Sequence, residues 1–169
     1  MSLLRIHRVN VVFSLLFIIA GCSSEFITPT SLSFGLTSYS NMEEVKSIVK
    51  NNNGDWKVIE SSTLEKTDLR PPYSYVRIVS NNFFEKRFPG KTNLIFFNDR
   101  LMTVLFYPND WSKYEKYLYP NQATKKDGWK KTNGNLQIRI NRNYNGDRYI
   151  SWEDIKLSSE MRNWIAKYS

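Results

Sequence analysis

Cysteine and histidine are almost absent from this sequence. The chain of 169 residues contains one cysteine, Cys22, and one histidine, His7. A single cysteine has no partner for a disulfide bond within the chain. Zinc sites of the histidine or cysteine type need several such ligands, and Cys-His nucleophile systems need both residue types in one folded domain. The composition therefore excludes an internal disulfide and leaves Cys22 as the one thiol to be explained.

The sequence has no apolar run long enough to span a bilayer as a helix. The longest, Val9–Ala20, is apolar except for Asn10 and Ser14 and has about twelve residues, whereas roughly 20 are needed. Arg5 and Arg8 precede it, and no acidic residue stands before it. A positive head, a short apolar stretch and small residues at its end are typical of a secretory signal peptide. Residues 1–21 are therefore predicted to be a signal peptide that is removed.

The apolar stretch ends in Ile19-Ala20-Gly21-Cys22. This tetrapeptide resembles the lipobox of bacterial lipoproteins, which has an aliphatic residue, two small residues and the cysteine that is lipidated. The resemblance implies cleavage before Cys22, a diacylglyceryl thioether on its sulfur and an acyl group such as palmitate on its new amino terminus. Two or three acyl chains hold a protein stably on a membrane. The alternatives are an ordinary cleaved signal peptide and an uncleaved anchor.

The rest of the chain is predicted to divide into a tether and one domain. Residues 22–34 are rich in serine and threonine and are interrupted by Pro29, the composition of a flexible linker. Residues 35–169 are predicted to form a folded domain, with a possible boundary between sub-units of the fold at 120–135. Ser23 follows the cysteine, and in lipoproteins a serine there implies transfer to the outer membrane if the source has two membranes. The expected location is the cell envelope, facing the periplasm.

Loss of the signal peptide would leave the mature chain without histidine and without a free thiol, which excludes Ser-His-Asp and Cys-His catalysis. A pair of carboxylates is the remaining possibility. Asp99, Asp147, Glu153 and Asp154 are candidates for glycoside cleavage, which needs two acids about 5 to 10 Å apart. The favoured interpretation is solvated surface acids in a protein that is not an enzyme. A carboxylate-dependent enzyme acting on glycans is the alternative.

The predicted mature chain is basic. Without Arg5 and Arg8 it has 22 basic residues against 16 acidic ones, a net charge of +6. Such a charge favours lipid headgroups or anionic envelope polymers as partners. An exported protein rarely meets nucleic acid, so no nucleic-acid partner is expected. A generally basic surface without a specific partner is the alternative explanation.

Helical signals stand at three places. The first helix is predicted to start at Ser40, with Glu43 closing a capping box, and to end at an asparagine or Gly54 in the left-handed conformation. Asp110 is expected to cap a short second helix through Tyr119, and Ser158 to cap a third. Apolar residues at helical spacing support the first and third helices: Met42, Val45, Ile48, Val49, Met161, Trp164, Ile165 and Tyr168.

Runs of β-branched and aromatic residues predict strands. The strongest signal is a hairpin, 92–97 and 101–107, whose nearly continuous apolar sequence predicts that both of its faces are covered. The element order is helix, four strands, helix, hairpin, helix. It predicts an α+β fold with a mainly antiparallel sheet packed against two or three short helices. The remaining predicted segments are strands at 56–64, 73–79, 136–140 and 149–152, and a polar loop at 121–135.

Several segments between residues 34 and 107 match a family pattern. They are Phe34-Gly35-Leu36-Thr37, the helix with Glu44-Val45, Trp56, and the hairpin residues 93–98 and 100–103. Together they resemble the small SmpA/OmlA (BamE-like) outer-membrane lipoproteins. Those proteins pack two helices on a three-stranded antiparallel sheet and assist the insertion of outer-membrane proteins. The resemblance implies a related fold.

Residues 141–147 space oxygen side chains at alternate positions with glycine sixth, as calcium loops do. The twelfth position is Trp152, where such a loop needs a glutamate. A hairpin turn with Asn145-Gly146 chemistry explains the same residues. The turn is the favoured interpretation, and neither a metal nor another cofactor is expected.

Aromatic residues allow two interpretations in the second predicted helix. They are either an interfacial patch beside lysines or the core-facing side of a helix whose lysines point outward. The core interpretation is favoured, as it is for three aromatic residues near the end of the chain. The residues concerned are Lys113, Tyr114, Lys116, Tyr117, Leu118 and Tyr119 in the helix, and Trp152, Trp164 and Tyr168 near the end.

The predicted anchor, tether and basic charge favour one function. The protein is expected to be a membrane-anchored, non-catalytic envelope lipoprotein that acts as a binding or assembly module for another envelope component, a protein or an anionic polymer. Besides the glycan-acting enzyme, a periplasmic binder of a small hydrophobic ligand between the sheet and the helices is the alternative.

Overall fold

Three helices and seven strands follow one another in the described part of the chain. The computed structural model describes residues 28–83, 88–120 and 122–169, so the predicted signal peptide and Cys22 lie outside the described residues. The predicted α+β fold with an antiparallel sheet is confirmed. In chain order the elements are α1 (Met42–Asn51), β1 (Lys57–Thr63), β2 (Ser74–Ser80), β3 (Gly90–Phe97), β4 (Arg100–Pro108), α2 (Trp111–Leu118), β5 (Lys130–Asn133), β6 (Leu136–Arg142), β7 (Arg148–Asp154) and α3 (Ile155–Tyr168).

Two antiparallel meanders make one sheet. Strands β1 to β4 follow one another, and β5 to β7 run back toward them, so the strand order is β1-β2-β3-β4-β7-β6-β5. The meanders join where β4 pairs with β7, through partners such as Phe106 with Ile150. Helix α2 and strands β5 and β6 lie between β4 and β7 in sequence. Among the described strands, β4 and β7 are therefore the neighbours in the sheet that do not follow one another along the chain. Strands β1 and β5 form the two edges.

The hairpin of β3 and β4 is confirmed. Asn98 and Asp99 form its turn with left-handed backbone angles, φ 49° and 57°, as a two-residue turn with the twist of the flanking strands requires. The Asn98 side chain accepts a hydrogen bond from the Ser74 backbone N–H at 2.7 Å and donates one to the Pro72 carbonyl at 3.1 Å. The asparagine therefore also fixes the start of β2.

Side chains of alternate strand residues lie on opposite faces of the sheet. On one face, Phe96, Phe106 and Trp152 pack with α1 and α2, and we call it the core face. On the other, Phe97 and Met102 pack with α3, and we call it the α3 face. Both faces of the β3–β4 hairpin are covered, as its apolar sequence predicted.

Helix α1 begins one residue later than predicted. Its N-cap is Asn41, whose side chain accepts from the Glu44 N–H, while the Glu44 carboxylate accepts from the Asn41 N–H. Ser40 is not the cap because its carbonyl accepts from the Leu101 N–H at 2.8 Å and so ties the chain to β4. Asn53 follows the helix with φ 62°, which confirms the predicted left-handed asparagine.

The predicted cap of α3 is wrong by four residues. Asp154 caps the helix, and its Oδ1 accepts from the Lys156 and Leu157 N–H groups at 3.0 Å each. Ser158 instead lies buried in the first turn. Asp154 is fully buried, and its second oxygen accepts from the Ser38 hydroxyl at 2.7 Å. Among the described residues, none of the helices combines the length and the apolar character that crossing a bilayer requires.

Strand β5 lies within the segment that was predicted to be a loop. Its residues, Lys130–Asn133, pair with β6 at the edge of the sheet. All of them are exposed and polar, so they lack the apolar alternation on which strand prediction depends. Strands on both sides of the possible boundary at 120–135 belong to the same sheet.

The end of the predicted tether packs on the domain. Leu32 is only 7% exposed, and Ser31 pairs with Thr37 in an isolated bridge. The Thr30 N–H also donates to the Ser38 hydroxyl at 2.7 Å. Residues 30–34 are therefore part of the fold, and residues 22–27 of the predicted tether lie outside the described residues.

Residues 34–107 differ from what the BamE-like resemblance implies. Instead of two helices on a three-stranded sheet, the described residues of this range, 34–83 and 88–107, form the helix α1 and the four strands β1 to β4. The Trp56 of the family pattern precedes β1 and stacks near Phe96 of the core face, with ring centroids 6.2 Å apart. The segments that carry the resemblance thus lie in one half of a larger sheet.

Replacing Asp154 with alanine is expected to lower the free energy of unfolding by about 2 to 3 kcal/mol, because the N-cap is lost and the Ser38 hydroxyl loses its buried partner. Asp110→Ala removes the exposed N-cap of α2 and should cost about 1 kcal/mol. Urea unfolding followed by circular dichroism measures both. Equal losses in the two variants would contradict the structural role given to Asp154.

Candidate functional site

A cleft opens at the end of the sheet where β4 ends and β7 begins. Two adjoining hollows, with volumes of about 650 Å³ and about 540 Å³, share Trp111, Ser112 and Arg148 in their walls. We call the combined depression the Trp111 cleft. Its walls also include Lys91, Tyr107, Lys116, Tyr119, Arg142 and Asp147.

Arg148 forms the rigid floor of the cleft. Its guanidinium lies over the Trp111 ring, 4.5 Å from the centroid, and its side chain is only 13% exposed. Its Nε donates to Asp127 at 2.9 Å, and a terminal nitrogen donates to the Lys125 carbonyl at 2.5 Å. Because these bonds fix the guanidinium plane, Arg148 orients the indole ring that stacks on it.

Glu115 contacts both Trp111 and Arg148 and holds them in place. This carboxylate is buried and accepts hydrogen bonds from the Trp111 indole N–H at 3.1 Å and the Lys125 backbone N–H at 2.7 Å. Arg148 lies 3.6 Å from it. A buried carboxylate is tolerated when it is paired and hydrogen-bonded in this way. Its oxygens are therefore engaged in holding Trp111 and Arg148.

Arg142 stands at the rim. Its Nε donates to Asp127 at 2.6 Å and another nitrogen donates to the Gly146 carbonyl at 2.8 Å, while half of its side chain remains exposed. The hydrogen bond from Arg142 lowers the pKa of Asp127 below its ordinary value, and Arg148 adds to the effect. Asp127 therefore stays ionised and holds two arginines on one side of the cleft.

Lys91 supplies a second exposed cation at the opposite wall. Its ammonium group lies 4.9 Å from the centroid of the Tyr107 ring, and within residues 28–83, 88–120 and 122–169 it makes no ion pair. Tyr107 in turn packs against Tyr149, with centroids 5.1 Å apart. Burial raises the pKa of Tyr107, so its ring remains a neutral phenol at physiological pH.

The second hollow ends in another aromatic and cationic group. The Lys125 ammonium lies 5.1 Å from the Tyr119 ring and 5.6 Å from the Trp129 ring. These two rings meet edge to face at 5.6 Å. Cations and aromatic faces therefore alternate along both hollows.

This arrangement can hold an extended anionic molecule. Aromatic faces offer apolar contact area, and Lys91 and the exposed part of Arg142 can pair with phosphate, carboxylate or sulfate groups. The two acids in the walls do not oppose this, because Asp147 accepts from the Asn143 amide at 2.9 Å and Glu115 is engaged with Trp111. The exposed charge of the cleft is therefore positive.

Comparisons with protein families and with curated proteins give no match from which a function for the cleft could be taken. Neither protein-family models nor curated protein sequences match this chain. The lipobox at Cys22 and the BamE-like resemblance therefore stay predictions from the sequence.

The carboxylates considered for glycoside cleavage are dispersed. Asp147 precedes β7 and Asp154 ends it, so about 20 Å of strand separates them. Glu153 and Asp154 are neighbours that lie on opposite faces of the sheet, and Asp154 is buried. Asp147 and Asp154 therefore lie farther apart than the roughly 5 to 10 Å that glycoside cleavage needs. The partners of the four acids are the Met42 N–H for Asp99, Asn143 for Asp147, Arg139 and Arg162 for Glu153, and Ser38 with the α3 N-terminus for Asp154.

The calcium-like segment 141–147 forms a hairpin turn, as predicted. The Asn143 side-chain oxygen accepts from the Asn145 and Asp147 N–H groups at 2.9 Å each, and Gly146 has φ 86°. The oxygens that would bind a cation thus stabilise the turn. Among the described residues, no group of three or more histidine, cysteine, aspartate or glutamate side chains could hold a metal ion.

The aromatic residues of α2 divide between the core and the surface. Tyr114 is fully buried and lies 5.1 Å from both the Phe88 and Phe106 rings, which confirms the core interpretation for this residue. Tyr117 is half exposed instead. The other residues of this prediction lie as follows: Lys113 and Lys116 are exposed, Leu118 packs on the core, Tyr119 lines the cleft, Trp152 is buried, and Trp164 stacks between Tyr73 and Tyr168 on the α3 face.

Sequence analysis singled out Lys116, Tyr119 and Asp147 in the walls of the cleft, but it did not single out Lys91, Trp111 or Arg148. Strand register brings Lys91 to Tyr107 across β3 and β4, and the pairing of β4 with β7 brings Arg148 to Trp111. These partners are far apart in sequence, so no spacing marks them. The local signals were Trp111 directly after the α2 cap and the arginines, Arg142 and Arg148, on either side of the Asn-Gly turn.

A smaller apolar cleft lies at the opposite end of the sheet. It has a volume of about 500 Å³, and Leu64, Pro72 and Tyr73 are among its walls. One alternative function predicted from the sequence was the binding of a small hydrophobic ligand between the sheet and the helices. In the described part of the chain, that space is filled by core side chains such as Phe34 and Phe106, whose rings meet edge to face at 5.3 Å.

Arg142→Gln is expected to raise the pKa of Asp127 toward its ordinary value, because the largest cause of its depression is removed. A carboxylate whose pKa is lowered in the folded state stabilises the fold at pH values above its ordinary pKa. This stabilisation is lost as the pH falls through the lowered pKa. Carboxyl ¹³C shifts followed against pH measure the change. Asp68, whose pKa Arg70 lowers to about 2, serves as the internal control and should not move. An unchanged Asp127 titration would contradict the pairing.

Proposed function

We propose that this protein is a membrane-anchored, non-catalytic envelope lipoprotein whose Trp111 cleft binds an anionic envelope polymer. The observation that supports it most is the cleft itself, where exposed cations stand beside aromatic faces along two joined hollows. A long ligand can occupy both hollows at once, and repeated anionic groups can meet Lys91, Arg142 and Lys116 in turn.

The attachment point of the chain favours a polymer over the protein's own membrane. Thr30 binds Ser38, and Ser38 binds Asp154, which ends β7. The cleft lies at the other end of that strand, at Arg148, about 20 Å away. From Cys22 to Thr30 the chain reaches at most about 28 Å when fully extended. The segment that leads back to Cys22 thus joins the domain at the end of β7 opposite the cleft, which favours a cleft that faces away from the bilayer.

The apolar cleft supports a second candidate function. Its volume of about 500 Å³ and its apolar walls suit a small hydrophobic ligand such as an acyl chain. Native mass spectrometry of the protein purified from its membrane would detect such a ligand. A ligand whose retention depends on Leu64 would favour this function over polymer binding.

The anchor is tested by metabolic labelling with a clickable fatty acid. The wild-type chain should be labelled, and Cys22→Ala should not, because the chain has no other thiol to receive a diacylglyceryl group. Cys22→Ala should also accumulate with its signal peptide uncut. Equal labelling of both proteins would remove the anchor from the proposal.

Polymer binding is tested with dextran sulfate against uncharged dextran of the same length. The full chain in a nonionic detergent should bind dextran sulfate, and Lys91→Gln/Arg142→Gln should weaken binding about tenfold because two exposed cations of the cleft are lost. Binding should also weaken as salt rises. Isothermal titration calorimetry measures each affinity.

A matched control separates the cleft from net charge. Lys66→Gln/Lys167→Gln removes the same charge far from the cleft and should leave the affinity unchanged. Trp111→Leu, which keeps every charge, should weaken binding through lost stacking. If both double variants lose the same affinity, or if uncharged dextran binds as well, the proposed role of the cleft fails.

A further inference from the structure

The two edges of the sheet differ in how they are protected. Edge strands expose unpaired backbone groups, and proteins shield them by shortness and charge. Strand β5 is short and includes Lys130 and Lys131. Strand β1 has seven residues, all exposed, and presents Val58 and Ile59 to solvent at 53% and 47% exposure. Strand β1 is therefore an edge open to pairing.

A bulge in β1 sets an unusual charge pattern. Lys57 pairs with Val79, Val58 with Ile78 and Glu60 with Arg77, so Ile59 is the extra residue. Since Val79 and Arg77 are two apart in β2, they lie on the same face, and so do their partners Lys57 and Glu60. The bulge thus places opposite charges three residues apart on one face, with two apolar residues between them.

We propose that two copies of this protein pair through β1, antiparallel and about a two-fold axis. In this register Lys57 of each copy lies opposite Glu60 of the other, and Val58 lies opposite Ile59 at the axis. Read backwards, the run Lys57-Val58-Ile59-Glu60 is complementary to itself in charge and in apolar character. The occupant of the edge is therefore a second copy rather than an unrelated strand.

The neighbouring side chains agree with this register. Glu60 forms an ion pair with Arg77, which directs its carboxylate along the α3 face where the second copy's Lys57 would arrive. Lys57 makes no ion pair within the described residues, so its charge is available. Opposite charges directly across an antiparallel pair stabilise it, and like charges destabilise it. The pairing would extend the sheet of each copy across the interface and bring two Trp111 clefts into one assembly. It does not depend on what those clefts bind.

Charge reversal in differently tagged full-length copies tests the pairing. In Lys57→Glu homodimers both cross-strand pairs become acid against acid, and in Glu60→Lys homodimers both become base against base. A heterodimer of Lys57→Glu with Glu60→Lys has two favourable pairs again. Co-purification from membranes in nonionic detergent should fall about tenfold in each homotypic pair and return to the wild-type level in the mixed pair.

The other edge strand provides the matched control. Lys130→Glu reverses one exposed lysine on β5 and should leave co-purification unchanged. Recovery in the mixed pair also shows that both variants are folded. Absence of wild-type co-purification, a mixed pair no better than the homotypic ones, or an equal loss in Lys130→Glu would each overturn the proposal.

Discussion

The pairing of β4 with β7 is the constraint on which the rest of the structure depends. It joins two meanders that are separate in sequence, and it puts Phe106 beside Ile150 and Val104 beside Trp152 in one core. Burial of such side chains is the main stabilising contribution available to a chain without disulfides. The same register places the start of β7 beside the end of β4. The floor of the Trp111 cleft is thus a direct product of this strand pair.

The strand β7 also gives the molecule two different ends. Asp154, at one end, binds the segment that leads back toward Cys22, and Arg148, at the other end, lies under Trp111. Asp154 and Arg148 are both held by hydrogen bonds to buried or nearly buried polar groups. Removing one partner of such a bond leaves the other buried and unpaired, which lowers the free energy of unfolding. The N-terminal segment and the Trp111 cleft thus lie at opposite ends of the same strand.

Local sequence rules predicted the elements whose determinants are local. The Asn98-Asp99 turn, the asparagine stop of α1 and the Asp110 cap of α2 each depend on neighbours within a few residues. The start of α3 was predicted wrongly because Ser158 has a suitable side chain, and only the tertiary contact with Ser38 shows why Asp154 is the cap. Strand β5 was missed because its pairing with β6, not its composition, makes it a strand.

The position of the candidate site could not be predicted from the sequence. The basic surplus indicated an anionic partner, yet which cations meet depends on strand register between residues far apart in sequence. The most direct test of the central claim is photo-cross-linking in the intact envelope, with a benzophenone side chain at position 112 in the cleft or at position 66 at the far end of the sheet. The account predicts adducts with an anionic polymer at position 112 and none at position 66. Adducts at both positions alike, or with neutral partners alone, would contradict it.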